Sequence, residues 1–281
     1  MSELKKEHFD WYPGHMTKAR RMMDESLSLV DLVIELIDAR IPLSGRNPDI
    51  DALAAGKARC LIFTKEDLAD PAQTAAFCDS YKMQGFACLS MDARQNRQKK
   101  PVLELVEEVC RERIERNRRR GIVGRPMRAM VVGIPNVGKS TFINSVMGKA
   151  VAKTGNLPGV TRGKQWLRLN KNLELLDTPG ITWPKFEEPD IALRLALVGS
   201  MKDAIIDKQV RWEYLRDFLA DAYPEALGTK YGADTIEGIA EQKHFLLPGG
   251  LFDTDRAQSL VLEDFKNGRI GRITLDRAPL A

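Results

Sequence analysis

Gly133-Ile134-Pro135-Asn136-Val137-Gly138-Lys139-Ser140 is the stretch that decides how this chain folds. Its spacing, G-x-x-x-x-G-K-[ST], is that of a phosphate-binding loop. The run before it, Arg128-Ala129-Met130-Val131-Val132, is short, apolar and partly β-branched, so it reads as a buried strand. The run after it, Thr141 to Met147, reads as the first turns of a helix. Strand, glycine loop and helix are the context in which the motif has meaning. Glycines let the backbone approach a phosphate, and N–H groups at a helix start meet its charge. The expected nucleotide contacts are Asn136, Val137, Gly138, Lys139, Ser140 and Thr141. Lys139 should reach the β- and γ-phosphates, and the Ser140 hydroxyl should hold Mg²⁺.

Downstream, Pro158-Gly159-Val160-Thr161-Arg162-Gly163 reads as a loop. Thr161 suits a second Mg²⁺ contact made only with a triphosphate, an order–disorder switch. Two strands are expected around 165–169 and 173–176, the second ending at Asp177-Thr178-Pro179-Gly180. An Asp there can hold Mg²⁺ through water, and the Gly180 N–H can meet a γ-phosphate. From residue 187 the pattern turns helical, with runs at 191–198, 212–220, 236–243 and 257–267. The expected division is a nucleotide domain over 1–186 and a small helical domain over 187–281. The last stretch, with Arg269, Arg272 and Arg277, reads as an extended basic tail.

Upstream, strands over 32–37, 60–63 and 86–89 alternate with helices over 17–29, 49–55, 71–81 and 101–118. That alternation predicts an α/β fold, a doubly wound parallel sheet covered on both faces. Thr64-Lys65-Glu66-Asp67 ends one of these strands. An Asp so placed can accept from the N1–H and N2–H₂ edge of guanine, an edge adenine lacks, while the Lys stem lies over the base. Ser90-Met91-Asp92-Ala93 ends the next strand, and Ser90 is a looser match to a further base contact. The base-reading element therefore precedes the phosphate loop, the reverse of the order in Ras-like GTPases. A doubly wound sheet fixes neighbours in space rather than in chain order, so circular permutation preserves the site. The stretch Arg118 to Pro126 would join the old termini, and its arginines suit either a solvated helix end or RNA phosphates.

Bulk properties narrow the classes further. The chain has 281 residues, 43% of them hydrophobic and 29% charged. No apolar run approaches the roughly 20 residues of a membrane span, and the charged start, Met1 to Glu7, has no signal core. Cys60, Cys78, Cys88 and Cys110 lack C-x-x-C spacing and read as buried free thiols. A cytoplasmic protein is expected. A net charge of +4 permits an RNA partner.

With these pieces in place, the chain resembles the circularly permuted GTPases, and within them the branch concerned with ribosome biogenesis. Trp11-Tyr12-Pro13-Gly14-His15-Met16, Asp38-Ala39-Arg40-Ile41-Pro42, the phosphate loop, Pro158-Gly159-Val160-Thr161 and Leu176 through Lys185 carry the resemblance. It implies a cytoplasmic GTPase acting in late maturation of the large ribosomal subunit, with the helical domain on rRNA and with neither membrane nor DNA as partner. Ile181 stands where a water-orienting Gln follows the D-x-x-G motif in Ras-like enzymes, so hydrolysis should be slow alone and stimulated by the subunit. The resemblance nominates His15 for the missing role; a packing role in its turn is the alternative. With His15, the catalytic set is Lys139 and Thr161. Asn136 matches a K⁺-coordinating Asn of related GTPases, with a local loop hydrogen bond as the alternative. Thr64 departs from the commoner Asn, which touches base affinity rather than base identity. Two competing functions stay open: a GTP-gated RNA-binding switch with another RNA client, and an ATP-using enzyme, which Thr64 to Asp67 oppose.

Overall fold

In the computed structural model, which describes residues 14–95, 99–122, 124–152, 165–183, 186 and 188–279, the first strand, β1, is Leu32–Asp38 and is buried at every position. Successive side chains of a strand face opposite ways. Leu32, Ile34 and Leu36 enter one core, while Val33 and Ile37 enter packing on the other face. Glu35 is the one polar interior residue of this run, and it pairs with the Arg59 guanidinium. A strand sandwiched between two helical layers reads as a continuous apolar run.

Five more strands complete one sheet: β2 (Ala58–Thr64), β3 (Ala87–Met91), β4 (Met127–Val132), β5 (Gln165–Arg168) and β6 (Leu173–Asp177), in the order β3-β2-β1-β4-β6-β5. All neighbours are parallel except β5, which runs antiparallel to β6 at the edge. The parallel sheet expected from the upstream strand–helix alternation is present in β1, β2, β3 and β4. No helix separates β5 from β6, so the chain closes a hairpin over 169–172 instead.

The chain runs outward from β1 through β2 to β3, then returns to β4 beside β1 and runs outward the other way. The β1/β4 boundary is thus the topological switch point, where the carboxyl ends of the strands open a crevice. Register brings the strand ends to that edge. Asp38 lies opposite Thr64, Thr64 opposite Met91, and Val131 opposite Asp177.

Helices α1 (Gly14–Leu27), α2 (Asp49–Leu53) and α3 (Pro71–Met83) cover one face of the sheet. On the other face lie α4 (Lys99–Val109) and α6 (Lys139–Met147). Between them comes α5 (Arg111–Arg119). The pair replaces the single continuous helix expected over 101–118. The break falls at Cys110, which is fully buried with ψ near 3°. Up to that point Val102, Leu105 and Val106 pack inward; beyond it no residue of α5 is buried.

The C-terminal helices are α7 (Pro189–Leu197), α8 (Lys208–Ala222), α9 (Ala226–Tyr231), α10 (Ile236–Gln242) and α11 (Thr254–Lys266). Helix α9 lies outside the expected helical runs, because Gly228 and Thr229 weaken its short pattern. Trp212, Leu215, Val261 and Phe265 of the helical part belong to the same core cluster as Leu32, Ile34 and Leu36 of the sheet. The helices therefore share a core with the nucleotide-domain sheet.

Residues 268–279 form no helix or strand. Their arginines stay exposed but each is engaged by the rest of the chain, which holds the extended basic tail down. Arg269 pairs with Asp264 at 3.1 Å, Arg272 caps backbone carbonyls, and Arg277 lies over the rings of Phe218 and Tyr223. The cysteines are free thiols, three of them buried, and burial pushes Cys78 and Cys110 up to about 11 and Cys88 up to about 12.

Candidate nucleotide site

Strand β4 delivers the chain into the phosphate loop at Val132, and α6 begins at Lys139. Gly138, the residue just before α6, has φ 101°, a conformation that excludes most side chains. The first turn of α6 has neither a side-chain cap nor an acid to take up its N–H groups. Ser140 and Thr141 sit half-buried in that turn.

Lys139 is 7% exposed and folds back so that Nζ donates to the carbonyls of Gly133 (3.2 Å) and Ile134 (3.0 Å). Burial, helped by the like charge of Lys65, brings its ammonium down to about 8, and Asp177 opposes the shift. It is therefore mostly charged at neutral pH and in place for a phosphate.

Asp177 ends β6 beside the loop. Its Oδ1 is buried with no hydrogen-bond partner among the described residues. Burial raises its pKa, against the pull of Lys139 and the Thr178 N–H. A buried carboxylate oxygen without a partner is costly unless a cation takes it. Asp177 and Ser140 therefore fit a Mg²⁺ site.

Gly180 completes this side. A Cβ there would stand 2.7 Å from Lys139 Nζ and 2.8 Å from the Pro135 backbone, so only glycine lets the segment lie on the phosphate loop. The Ile181 side chain is fully buried, and its N–H donates to Gly133 O at 3.3 Å. It contributes to the core and presents nothing to a water.

The base-reading loop follows β2. Thr64 Oγ1 donates to Val137 O of the phosphate loop at 2.6 Å. The hydroxyl thus ties the two loops together, a job the sequence could not assign to it. Lys65 has φ 57° and sets Nζ 2.8 Å from Asp38 Oδ2. Asp38 also accepts from Arg40, through Nε at 2.9 Å and Nη2 at 2.8 Å. Burial would raise the Asp38 pKa, but Arg40 and Lys65 hold its carboxyl well below the usual range.

Asp67 stands in a short 3₁₀ turn, Glu66–Leu68. Its carboxylate pairs with Arg94, which also holds Asp92 at 3.1 Å. Burial and the charge of Asp92 raise the pKa of Asp67 while Arg94 opposes. Ser90, half-buried on β3, is paired with Phe63 of β2, so its loop lies beside that of Asp67.

The structure therefore gathers Thr64, Lys65, Asp67 and Ser90 on one side and Asn136, Val137, Gly138, Lys139, Ser140, Thr141, Asp177 and Gly180 on the other. His15 is the second residue of α1, with its side chain outside the described residues, and Thr161 also lies outside them. Asp38, Arg40 and Arg94 carry no role that the sequence assigns. The available signal was an acid and a base closing a mostly apolar strand, since charges seldom enter a core unpaired.

A phosphate loop after β4, an Asp-ended neighbour strand and an earlier base-reading loop define a P-loop GTPase in circularly permuted order. Comparison with known proteins agrees. Residues 128–221 match the family described as 50S ribosome-binding GTPase. Ribosome biogenesis GTPase A of Priestia megaterium is 43% identical over 95% of this chain and 96% of its own length. The Bacillus cereus protein of the same name is 41% identical, covering 95% and 93%. GNP-bound YlqF from T. maritima superposes with a TM-score of 0.67 at 27% identity, over 94% of this chain and all of its own. The chain belongs to the ribosome biogenesis GTPase A family.

Proposed function

We propose that the chain is a GTP-hydrolysing assembly factor acting in late maturation of the large ribosomal subunit, in the cytoplasm, and binding rRNA according to its nucleotide. The observation that carries the nucleotide dependence is a contact between the phosphate loop and the helical part. Asn136 Nδ2 donates to Gly199 O, just beyond α7, at 2.6 Å. A change at the phosphates is thus one hydrogen bond from the helices. No helix among the described residues is long and apolar enough to cross a membrane.

A basic surface stands on α5. None of its nine residues is buried, and Arg111, Arg116 and Arg118, with Arg120 beyond, pair with no acid among the described residues. A polar helix without a packing face suits a partner's phosphates.

Subunit co-sedimentation tests the reading. Pelleting with large subunits should be stronger with a non-hydrolysable GTP analogue than with GDP. Replacing Arg116, Arg118 and Arg120 by Gln should flatten the salt dependence, by roughly 0.9 in log–log slope for each phosphate no longer neutralised. Equal pelleting in both nucleotides, or association with small subunits only, would defeat the proposal in favour of another RNA client.

In hydrolysis, loop N–H groups and Lys139 hold the phosphates, and Gly180 meets the γ-phosphate. Ser140, Thr161 and Asp177 would hold Mg²⁺, which would supply charge neutralisation at the phosphates. Asn136, whose Nδ2 donates to Gly199 O at the edge of the phosphate loop, is the residue that would hold K⁺. With the Ile181 side chain buried, His15 would hold the attacking water when the chain is bound to the ribosome. In single-turnover assays with large subunits, His15→Ala should slow hydrolysis by roughly 10²-fold with GTP affinity nearly intact. Na⁺ in place of K⁺ should slow the wild type too. An unaltered rate in the variant would return His15 to packing, and equal rates in the two salts would remove the K⁺ site.

A further inference from the structure

We propose that the C-terminal segment, residues 268–279, is a strap that sets the guanine-reading loop, with Arg272 as its positioning residue. The proposal rests on reading Thr64 to Asp67 as that loop.

A three-residue 3₁₀ turn has little stability of its own. Its shape must come from outside, and the strap supplies it. Arg272 donates to both ends of the turn region, from Nη2 to Glu66 O at 2.6 Å and from Nε to Ala69 O at 2.8 Å. Ile273 N donates to Leu68 O at 3.1 Å. Asp70 N donates to Thr274 Oγ1 at 3.0 Å. The backbone on either side of Asp67 is thereby held from the far end of the chain.

The strap is itself anchored. Leu275 N donates to Arg40 O at 2.7 Å. The Asp276 carboxylate accepts from the N–H groups of Leu43 (2.7 Å) and Ser44 (2.8 Å) and from Arg194 (2.9 Å). Ile273, Thr274, Leu275 and Asp276 are all buried. Without helix or strand bonds of its own, this segment can be ordered only where it lies.

Guanine recognition needs the Asp67 oxygens at hydrogen-bond distance and angle from N1–H and N2–H₂ at once, which a loosened turn cannot supply. Linkage makes the effect reciprocal. Guanine that fixes the loop also fixes the strap, and a partner that draws on α11 or its tail loosens guanine. The helical part can then alter nucleotide affinity through the base, independently of Asn136 and the phosphates.

The test uses the full chain, fluorescent GDP and IDP, and pyrophosphate as a base-free competitor. IDP lacks the N2 amino group, so the GDP/IDP affinity ratio reports the Asp67 contact. Arg272 lies at the surface, so Arg272→Ala opens no cavity. The expected result is a GDP/IDP ratio lowered by roughly tenfold, as for one charge-assisted hydrogen bond. Pyrophosphate affinity should stay within about threefold of wild type, and Arg272→Lys should restore part of the ratio. In the wild type, GDP should slow hydrogen exchange at the Ile273 and Leu275 amides while pyrophosphate should not. A folded Arg272→Ala protein with an unaltered ratio overturns the strap, as does equal protection by GDP and pyrophosphate. A wild type that fails to prefer GDP over IDP overturns the guanine reading itself.

Discussion

Asp67→Asn is expected to lower GTP and GDP affinity by roughly 10⁴-fold, because a site built around one hydrogen-bonding edge rejects the wrong edge strongly. Xanthine nucleotides should gain in return, since their C2 carbonyl accepts from the Asn amide. The structure adds a competitor to this account. Asp67 already pairs with Arg94, so guanine must displace or share that guanidinium. The pair is partly exposed, and such pairs contribute little on their own, so Arg94 does not block the base. Burial and Asp92 raise the Asp67 pKa. As pH falls, Asp67 therefore protonates earlier than an ordinary carboxylate and loses guanine sooner. Titration of a fluorescent nucleotide into wild type and variant checks the main effect. Unchanged GTP affinity in Asp67→Asn would remove Asp67 from the site.

The sequence revealed those features that depend on neighbours along the chain. Buried parallel strands are apolar runs, so β1, β2 and β4 were visible. The phosphate loop and the strand ending at Asp177 carry their chemistry in a few consecutive residues. Permutation was legible too, because motif order is read directly from the chain. Features that depend on distant partners were hidden. Nothing near Thr64 shows that its hydroxyl reaches Val137, and nothing near Arg272 shows that it caps Glu66 and Ala69. The tail read as extended because the groups that engage its arginines, Asp264 and the Phe218 ring among them, lie in helices of the packed structure. The break at Cys110 follows from where the core ends, a property of the packed sheet rather than of the helix.

Asp38→Ala is expected to destabilise the fold by about 3–5 kcal/mol, the usual cost of stranding a buried charge. Arg40 is 1% exposed, and among the described residues Asp38 is its only acid partner. Its remaining bonds go to the carbonyls of Lys266 at 2.9 Å and Val198 at 3.4 Å, which cannot neutralise it. Lys65 loses the same partner, so two cations face each other across the gap. A further loss should appear in nucleotide affinity, since Lys65 is then free to leave the base. Asp38→Ala combined with Arg40→Leu removes the stranded guanidinium and should recover at least part of the stability. The pH dependence has a definite sign. The Asp38 carboxyl is held below its unfolded value, so its contribution is full above about pH 4–5 and is lost as pH falls toward its folded pKa. The gap between wild type and Asp38→Ala should thus be constant around neutrality and narrow in acid. Urea unfolding at pH 7 and pH 3 measures both. A loss under about 1 kcal/mol at pH 7, within the range of an exposed pair, would mean that the Asp38–Arg40–Lys65 cluster holds neither the helical part nor the base-reading lysine in place.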